Sequence, residues 1–103
     1  MVTPDPNRRL TEDELDALRD KLHRWELRTH KIERTFHFTS FAEAIAFMVR
    51  VAFVAERLDH HPKWSNVHDR VHVELWSHDL GGVSERCISL ATIMDEYADL
   101  SQV

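Results

Sequence analysis

Cysteine, glycine and proline are scarce in this sequence, with one, two and three copies among 103 residues. Because the single cysteine, Cys87, cannot form an internal disulfide, a disulfide-stabilised scaffold is excluded and a reducing compartment, the cytoplasm, is expected. No basic segment followed by an apolar run opens the chain, so no secretory signal is predicted. The longest apolar stretch, residues 44–55, is interrupted by Arg50 and is shorter than the roughly 18 residues of a membrane span. A membrane protein is therefore not expected.

Basic residues are too few for a surface that coats nucleic-acid phosphates. The sequence has 13 lysines and arginines against 18 aspartates and glutamates, a formal net charge of -5. Proteins that bind DNA or RNA generally carry an excess of positive charge, so direct nucleic-acid binding is not expected. Histidine is abundant instead, with eight copies, and it is the side chain that titrates closest to neutral pH.

Length and composition predict one small domain. Residues 1–9 contain two prolines and no periodic apolar positions, so they are predicted to form a disordered tail, and residues 10–103 are predicted to form the domain. With 43% hydrophobic residues, a chain of this length can bury a real but small core. Association between subunits is therefore plausible.

The hydrophobic periodicity predicts the element order helix, strand, strand, helix, strand, strand, helix. The helices are predicted over residues 11–23, 40–61 and 84–97, and the strands over residues 25–29, 31–38, 64–68 and 71–78. Thr11 and Glu14 form a capping-box pattern, and Pro62 requires the second helix to end by His61. This order predicts an α+β fold, a two-layer sandwich with three helices on one face of a four-stranded antiparallel sheet.

The second predicted helix is apolar on more than one side. Phe41, Ile45, Met48, Ala52 and Ala55 are predicted to form one face, and Phe47, Val51 and Val54 extend the apolar surface around the helix. We expect such a helix to be buried on more than one side, partly against another subunit.

The densest group of reactive side chains lies at the end of that helix. Glu56 and His60 are four residues apart and would share a helical face, where the carboxylate would favour the imidazolium form. His61, which precedes a proline, must point elsewhere. His78 and Asp79 end the last strand, and we expect them to meet the helix end in one cleft.

Other interpretations of these residues remain open. A histidine at a helix end can serve as a cap, and Trp25 and Trp64 can pack in the core or form a flat wall for a heterocycle. A metal site would draw its ligands from His60, His61, His78 and Asp79, but adjacent histidines do not match the usual ligand spacing of zinc sites. The sequence contains no Walker loop, nucleophile elbow or paired-cysteine motif.

Several stretches together resemble the pterin-4a-carbinolamine dehydratase family. They are Ala55-Glu56-Arg57-Leu58-Asp59-His60-His61-Pro62-Lys63-Trp64-Ser65-Asn66-Val67, Val71-His72-Val73, Ser77-His78-Asp79 and Gly81-Gly82-Val83-Ser84-Glu85-Arg86. The similarity also includes Trp25, Phe36-His37-Phe38 and the helix of residues 41–51, so it covers about residues 11–97.

The resemblance implies an enzyme. Family members remove water from a 4a-hydroxytetrahydropterin to give the quinonoid dihydropterin, the regeneration step after aromatic amino acid hydroxylation. At the matching positions, His60, His61 and His78 would be catalytic and would supply acid and base near neutral pH. The substrate-binding residues it implies are Asp59, Ser77, Glu56, Trp25, Trp64 and Asp79.

The resemblance also implies how these residues work together and with what partners. Glu56 would orient His60, and the two tryptophans would lie at the pocket edge. No metal or organic cofactor is implied. Subunits of the family join through sheet edges and central-helix bundles, so a homodimer or homotetramer is expected, with an aromatic amino acid hydroxylase as a pathway partner.

Two positions depart from the family pattern. Cys87 stands where relatives usually carry an acid, so the capping box begun by Ser84 is incomplete, and we expect this position to lie outside the histidine cluster. Asp79 stands where some relatives have glutamate.

Two rival functions are weighed beside the enzyme. Animal family members also serve as dimerisation cofactors of a transcription factor through the central helix, so an interaction module is one alternative. A small histidine-rich metal-binding protein is the other.

Overall fold

The fold is an α+β sandwich in which three helices lie on one face of a four-stranded antiparallel sheet, as the sequence predicted. The computed structural model describes residues 8–100. The elements in chain order are α1 (Glu12–Asp16), β1 (Glu26–Leu27), β2 (Ile32–His37), α2 (Phe41–Leu58), β3 (Lys63–Val67), β4 (Arg70–Leu75), a 3₁₀ turn (His78–Leu80) and α3 (Glu85–Leu100). Of the predicted tail, only Arg8 and Arg9 are among the described residues, and Arg9 forms an isolated bridge with Ser84.

The sheet separates a buried face from an open face by simple alternation. Its strand order is β1-β2-β4-β3, with every neighbouring pair antiparallel. Side chains of alternate strand residues point to opposite faces, so Ile32 and Phe36 on β2 join Val71, Val73 and Leu75 on β4 beneath the helices. All five are almost completely buried, which places the centre of the core between β4 and the helices.

Helix α1 begins as predicted and ends earlier. The Thr11 hydroxyl accepts a bond from the Glu14 backbone N–H at 3.2 Å, and the Glu14 carboxylate accepts one from the Thr11 N–H at 2.9 Å, which completes the capping box. Chiefly the Arg8 guanidinium, which bonds the Glu14 carboxylate, and then these two bonds lower the pKa of Glu14 to about 2. The chain leaves the helix after Asp16 rather than at His23, because irregular turns that follow still bury the apolar side chains of this segment.

Helix α2 buries only part of the apolar surface predicted for it. The buried positions are Ala44, Phe47, Val51, Val54 and Ala55. Phe41, Ile45 and Ala52, which were predicted to share an apolar face with Met48 and Ala55, are exposed, together with Val49 and Phe53. The sequence supplies more apolar positions than one helix face can hold, and packing against β4 and α3 decides which are buried. No helix within residues 8–100 has both the length and the apolarity needed to cross a membrane.

The segment between β4 and α3 is a tight loop. β4 ends at Leu75, so His78 lies in the 3₁₀ turn rather than at the end of the strand as predicted. Gly81 ends that turn with φ of 64°, a left-handed conformation that favours glycine. Ser77 and Gly82 then close the loop through an antiparallel bridge. The loop therefore returns the chain to the start of α3 directly beside the end of α2.

Candidate active site

A cleft of about 500 Å³ lies where the end of α2, the 3₁₀ turn and the start of α3 meet. The side chains lining it belong to Asp59, His60, His61, Pro62, Lys63, Trp76, Ser77, His78, Asp79, Leu80 and Arg86. The structure therefore brings together all three histidines predicted to be catalytic, along with Asp59, Ser77 and Asp79. The volume of the cleft is in the range typical of small-molecule sites.

The end of α2 sends its two adjacent histidines in different directions. Asp59 takes the left-handed conformation, with φ of 50°, and ends the helix. The His60 backbone N–H then bonds back to the Ala55 carbonyl at 3.0 Å, a helix-terminating bond that satisfies one of the last carbonyls. As a result of this turn His60 is buried, with 8% of its surface exposed, whereas His61 remains exposed.

His60 sits in the most enclosed part of the cleft. Its Nε2 lies 3.3 Å from the Sγ of Cys87, a buried residue of α3. Burial is the main factor that lowers the pKa of His60, and the neighbouring Arg86 and His61 act in the same direction. The carboxylates of Asp59 and Asp79 oppose the shift without reversing it. His60 is therefore biased toward the neutral imidazole at neutral pH.

Glu56 pairs with His61 and not with His60, which corrects the predicted assignment. The Glu56 carboxylate lies 2.7 Å from Nε2 of His61, and both side chains are well exposed. The prediction assumed that the helix continued to residue 60, but it ends at Leu58 and the turn at Asp59 changes the direction of the chain. Because a carboxylate accepts hydrogen bonds, His61 donates from Nε2, and Nδ1 is left as its other ring nitrogen.

His78 is held by a residue that the sequence did not identify as part of the site. The indole N–H of Trp76 donates to Nδ1 of His78 at 3.2 Å, and the two rings meet edge to face with centroids 4.7 Å apart. Because an indole nitrogen can only donate, the proton of neutral His78 must be on Nε2.

A buried polar chain lies behind His60. The Ser77 hydroxyl bonds the Ser84 hydroxyl at 2.7 Å, and the Ser84 backbone N–H donates to Sγ of Cys87 at 3.5 Å. That last contact reproduces half of a capping box with sulfur in place of a carboxylate. The expectation that Cys87 lies outside the histidine cluster is wrong, because α3 begins against the end of α2 and brings its sulfur to His60.

The two tryptophans predicted at the pocket edge lie elsewhere. Trp25 is buried, its indole N–H bonds Asp95 at 2.8 Å, and its ring packs edge to face on Phe36. Trp64 lies opposite Val73 on β4 and packs against the core, so it does not line the cleft. Trp76 is the indole that lines it.

Sequence reasoning missed Trp76, Arg86 and Lys63 as cleft residues. The sequence pattern placed Trp76 only on the polar face of its strand. A large aromatic side chain two residues before His78 on an uncovered sheet face could have indicated that Trp76 lines the site. Arg86 follows the cap of α3 by two residues, and only the packing of α3 against α2 shows that its charge reaches His60. Lys63 lies over the Trp76 ring at 6.0 Å.

Side chains that could hold a metal together lie on the open sheet face. Among residues 8–100, ligand atoms of Glu33, His72 and Glu74 lie within 4.8 Å of one another, and the predicted ligand set of His60, His61, His78 and Asp79 does not form such a group. The ammonium group of Lys31 already contacts both carboxylates, at 3.6 Å from Glu33 and 2.5 Å from Glu74. This cluster is therefore a set of ion pairs across neighbouring strands.

The cleft can supply both proton donors and proton acceptors to a small polar heterocycle. In its neutral form His78 carries its proton on Nε2, because Nδ1 accepts from Trp76. His61 has Nδ1 opposite the nitrogen that bonds the Glu56 carboxylate. His60 contributes a buried imidazole. Arg86 and Lys63 add positive charge, and Asp59 and Asp79 add hydrogen-bond acceptors. Such a set suits acid–base chemistry on a bound ring.

Comparison with known proteins identifies the family. The sequence pattern of the Pterin 4 alpha carbinolamine dehydratase family matches residues 8–97. A Synechococcus protein named as a candidate pterin-4-alpha-carbinolamine dehydratase is 44% identical over 86 residues, covering 84% of this chain and 92% of that protein. A similarly named protein of Mesorhizobium japonicum is 47% identical over 91 residues, covering 86% and 93%.

A solved structure has the same fold. The crystal structure of a transcriptional coactivator/pterin dehydratase from Brucella melitensis superimposes with a TM-score of 0.84 at 40% identity, over 89% of this chain and 99% of that one. The region that matches the family pattern, residues 8–97, includes α2, the 3₁₀ turn and the start of α3, the elements that build the cleft. On these grounds, the chain belongs to the pterin-4a-carbinolamine dehydratase family.

Proposed function

We propose that this protein is a 4a-hydroxytetrahydrobiopterin dehydratase, which eliminates water from the pterin 4a-carbinolamine to give the quinonoid dihydropterin. The observation that carries the proposal is the convergence of His60, His61 and His78 on one cleft of about 500 Å³. Membership of the family and the names of its relatives support the same activity.

The reaction needs one proton delivered and one removed. The bond between C4a and the hydroxyl oxygen breaks as that oxygen gains a proton and leaves as water. The N5–H bond breaks, and its electron pair forms the new double bond between N5 and C4a. An acid and a base that work near neutral pH are sufficient for these steps, and we propose that the protein uses no metal or organic cofactor.

We assign the acid role to His60 and His78 and the base role to His61. His60 comes from the end of α2 and His78 from the 3₁₀ turn, so they reach the cleft from different elements and can address opposite faces of a planar ring. His61 donates from Nε2 to Glu56, which leaves Nδ1 to accept the N5 proton. Glu56 thereby acts on the base rather than on His60.

The remaining cleft residues bind the ring in this proposal. Asp59 and Asp79 can accept hydrogen bonds from ring N–H groups, and Ser77 lies at the buried end of the cleft beside them. Trp76 offers an aromatic face next to His78. Arg86 can donate to the ring carbonyl.

The direct test is an assay of 4a-hydroxytetrahydropterin dehydration with purified protein. We expect activity that survives treatment with a chelator and that falls at least about 100-fold when His60 and His78 are both replaced by asparagine. The matched control is His23→Asn, an exposed histidine outside the cleft, which should retain full activity. Loss of activity on chelation, restored by one added metal, would favour a metalloprotein instead. Undetectable dehydration by the folded wild-type protein would refute the proposal.

We also propose that the protein forms a homodimer or homotetramer in the cytoplasm, with residues 10–103 as one domain. The exposed apolar face of α2, which includes Phe41, Val49 and Phe53 at 52%, 52% and 69% exposure, supports self-association because contiguous apolar surface of this kind usually marks an interface. A pathway partner that forms the carbinolamine, such as an aromatic amino acid hydroxylase, would supply the substrate.

An interaction module is the second candidate function, and the same face of α2 favours it. The Brucella relative is described as a transcriptional coactivator as well as a dehydratase. Two results together would support the interaction module over the enzyme: binding of a second polypeptide to this face, and no dehydration of the pterin carbinolamine by the same protein.

A further inference from the structure

Cys87 occupies a position from which it can control the protonation pattern of His60. Its sulfur is completely buried on the first turn of α3, 3.3 Å from Nε2 of His60. Because no solvent reaches it, its polar contacts are limited to the groups packed around it. Among residues 8–100 these are Nε2 of His60, the hydroxyls of Ser77 and Ser84, and the backbone N–H of Ser84.

The surroundings of the sulfur indicate where its hydrogen points. The Ser84 backbone N–H can only donate, so it uses the sulfur as an acceptor. The thiol hydrogen then needs an acceptor of its own. The hydroxyls of Ser84 and Ser77 are 3.7 and 4.0 Å from the sulfur and bond each other at 2.7 Å, whereas Nε2 of His60 is closer, at 3.3 Å. Nε2 is therefore the favoured acceptor.

The other ring nitrogen of His60 faces the cleft. Nδ1 has no hydrogen-bond partner among residues 8–100. Every fully buried polar side-chain atom described there does have a partner, so Nδ1 cannot be fully buried. Nδ1 consequently lies at the small accessible surface of the ring, which is the surface that lines the cleft.

We propose that Cys87 is a positioning residue for His60: its thiol donates to Nε2 and so keeps the proton of the neutral imidazole on Nδ1, facing the bound substrate. This inference rests on the proposed dehydratase function and deepens it. With the Nδ1–H tautomer fixed, His60 can donate a hydrogen bond to the departing hydroxyl without first becoming an imidazolium. His60 keeps its own proton in this step, and the proton that completes the water molecule is the one that leaves N5 through His61. A neutral imidazole can polarise a substrate oxygen in this way.

The charges around His60 are compatible with this state. Arg86 on α3 and His61 beyond the end of α2 disfavour the imidazolium, and burial disfavours it further. Asp59 and Asp79 act in the opposite sense, from the end of α2 and from the 3₁₀ turn. Burial, Arg86 and His61 together outweigh the carboxylates, so the neutral ring has to obtain its orientation from a hydrogen bond such as that of Cys87.

The test is the tautomer of His60, measured by nitrogen NMR on the full chain with labelled histidine. The spectrum of His60→Asn assigns the signals. We expect Nε2 to be unprotonated and Nδ1 protonated in the wild type and in Cys87→Ser, which keeps a donor. In Cys87→Ala the protonated fraction of Nε2 should rise several-fold, and in Cys87→Asp the tautomer should reverse, because a carboxylate can only accept. Ile88→Val, a buried change on the same helix without a polar group, is the control and should match the wild type.

Kinetics give a second readout. Loss of one orienting hydrogen bond should lower kcat of Cys87→Ala about tenfold with KM little changed, and Cys87→Ser should restore most of the rate. A wild-type His60 protonated on Nε2, or the same tautomer in all folded variants, would overturn the inference. If Cys87→Ala does not fold, the wild type and Cys87→Asp still decide it. If the tautomers behave as expected but the wild type dehydrates no pterin, the proposed function fails and the hydrogen-bond assignment stands.

Discussion

At the scale of single residues, the three cleft histidines differ in their partners more than in their positions. His61 is paired with a carboxylate, His78 with an indole N–H, and His60 with a buried thiol. A carboxylate can only accept and an indole can only donate, so neutral His61 has an unprotonated Nδ1 opposite its partner, whereas neutral His78 has a protonated Nε2. We propose that this difference allows chemically identical side chains to divide acid and base roles.

The division of roles predicts a stereochemical effect. If His60 and His78 each serve one face of the pterin, then His60→Ala should slow dehydration of one 4a-hydroxyl epimer by about 100-fold or more and the other far less, and His78→Ala should show the opposite preference. The double variant should slow both. The measurement is the dehydration rate of each epimer with each single variant. Equal slowing of both epimers by each change would refute the two-face assignment.

The burial of His60 predicts a pH-dependent stability. Because the folded pKa of His60 is lowered from the ordinary value of about 6.5, the unfolded chain binds a proton that the folded chain does not as pH falls below about 6.5. Stability should therefore fall over this interval, down to the folded pKa, and be unaffected by His60 above it. Urea unfolding of the wild type and His60→Asn between about pH 5 and 8 tests this. The variant should show a smaller loss at acidic pH than the wild type. Parallel curves for the two proteins would contradict it, with His23→Asn as the matched control.

At the scale of elements, the site depends on how two segments end. Asp59 stops α2 in the left-handed conformation, which directs His60 inward and leaves His61 exposed. Gly81 stops the 3₁₀ turn in the same conformation and returns the chain to α3. The sequence signals for both endings, Pro62 and the paired glycines, were correctly located, but they did not specify the direction in which each histidine would leave the backbone.

Replacement by alanine should reduce stability to different extents at the two glycines of this loop, Gly81 and Gly82. A Cβ at Gly81 would meet nothing within 4 Å, so Gly81→Ala should cost only the left-handed backbone, about 1 kcal/mol of unfolding free energy, and Gly81→Asn less. A Cβ at Gly82 would lie 2.4 Å from the Arg9 side chain and 2.8 Å from the Thr29 carbonyl oxygen. Gly82→Ala should therefore be the more destabilising change. Urea unfolding of the three variants measures this order, and a Gly81→Ala protein less stable than Gly82→Ala would contradict it.

At the scale of the whole molecule, the main feature that the fold of one chain leaves uncovered is the exposed apolar face of α2. The helix packs one face on the sheet and on α3, while Ile45 and Phe53 remain 37% and 69% exposed on the other. Monomeric proteins rarely leave a contiguous apolar surface of this kind in water, and a small chain has little other surface with which to cover it. Burial against further copies of the same helix is the arrangement that we propose.

Charge on this face should separate subunits without unfolding them. Phe53→Asp places a carboxylate on exposed surface, so we expect it to convert the assembly to a 12.1 kDa monomer with native circular dichroism. Phe47→Asp is the contrasting variant: Phe47 is 1% exposed and packs against Phe36 and Phe38, so a charge there should unfold the chain. Light scattering at micromolar concentration is the measurement. A monomeric wild-type protein would refute the proposed assembly.

The sequence by itself determined the fold class, the element order and the set of histidines that meet. Local patterns were sufficient for the fold class and the element order, because alternation, capping and the proline act within a few residues of the chain, whereas the set of histidines came from the family resemblance. The Thr11–Glu14 cap and the buried face of β4 follow directly from such patterns. The resemblance to the family rested on the same short stretches around residues 55–67 and 77–86.

Tertiary structure alone decided the partners of those residues. Glu56 bonds His61 instead of His60, Trp76 rather than Trp25 lines the cleft, and Cys87 reaches His60 from a segment 27 residues away. Likewise, the side of α2 that is buried depends on the packing of β4 and α3. Periodicity fixes the spacing of side chains within an element, but the direction of a side chain beyond a helix end, and its neighbour from another element, depend on the backbone turn and on long-range packing.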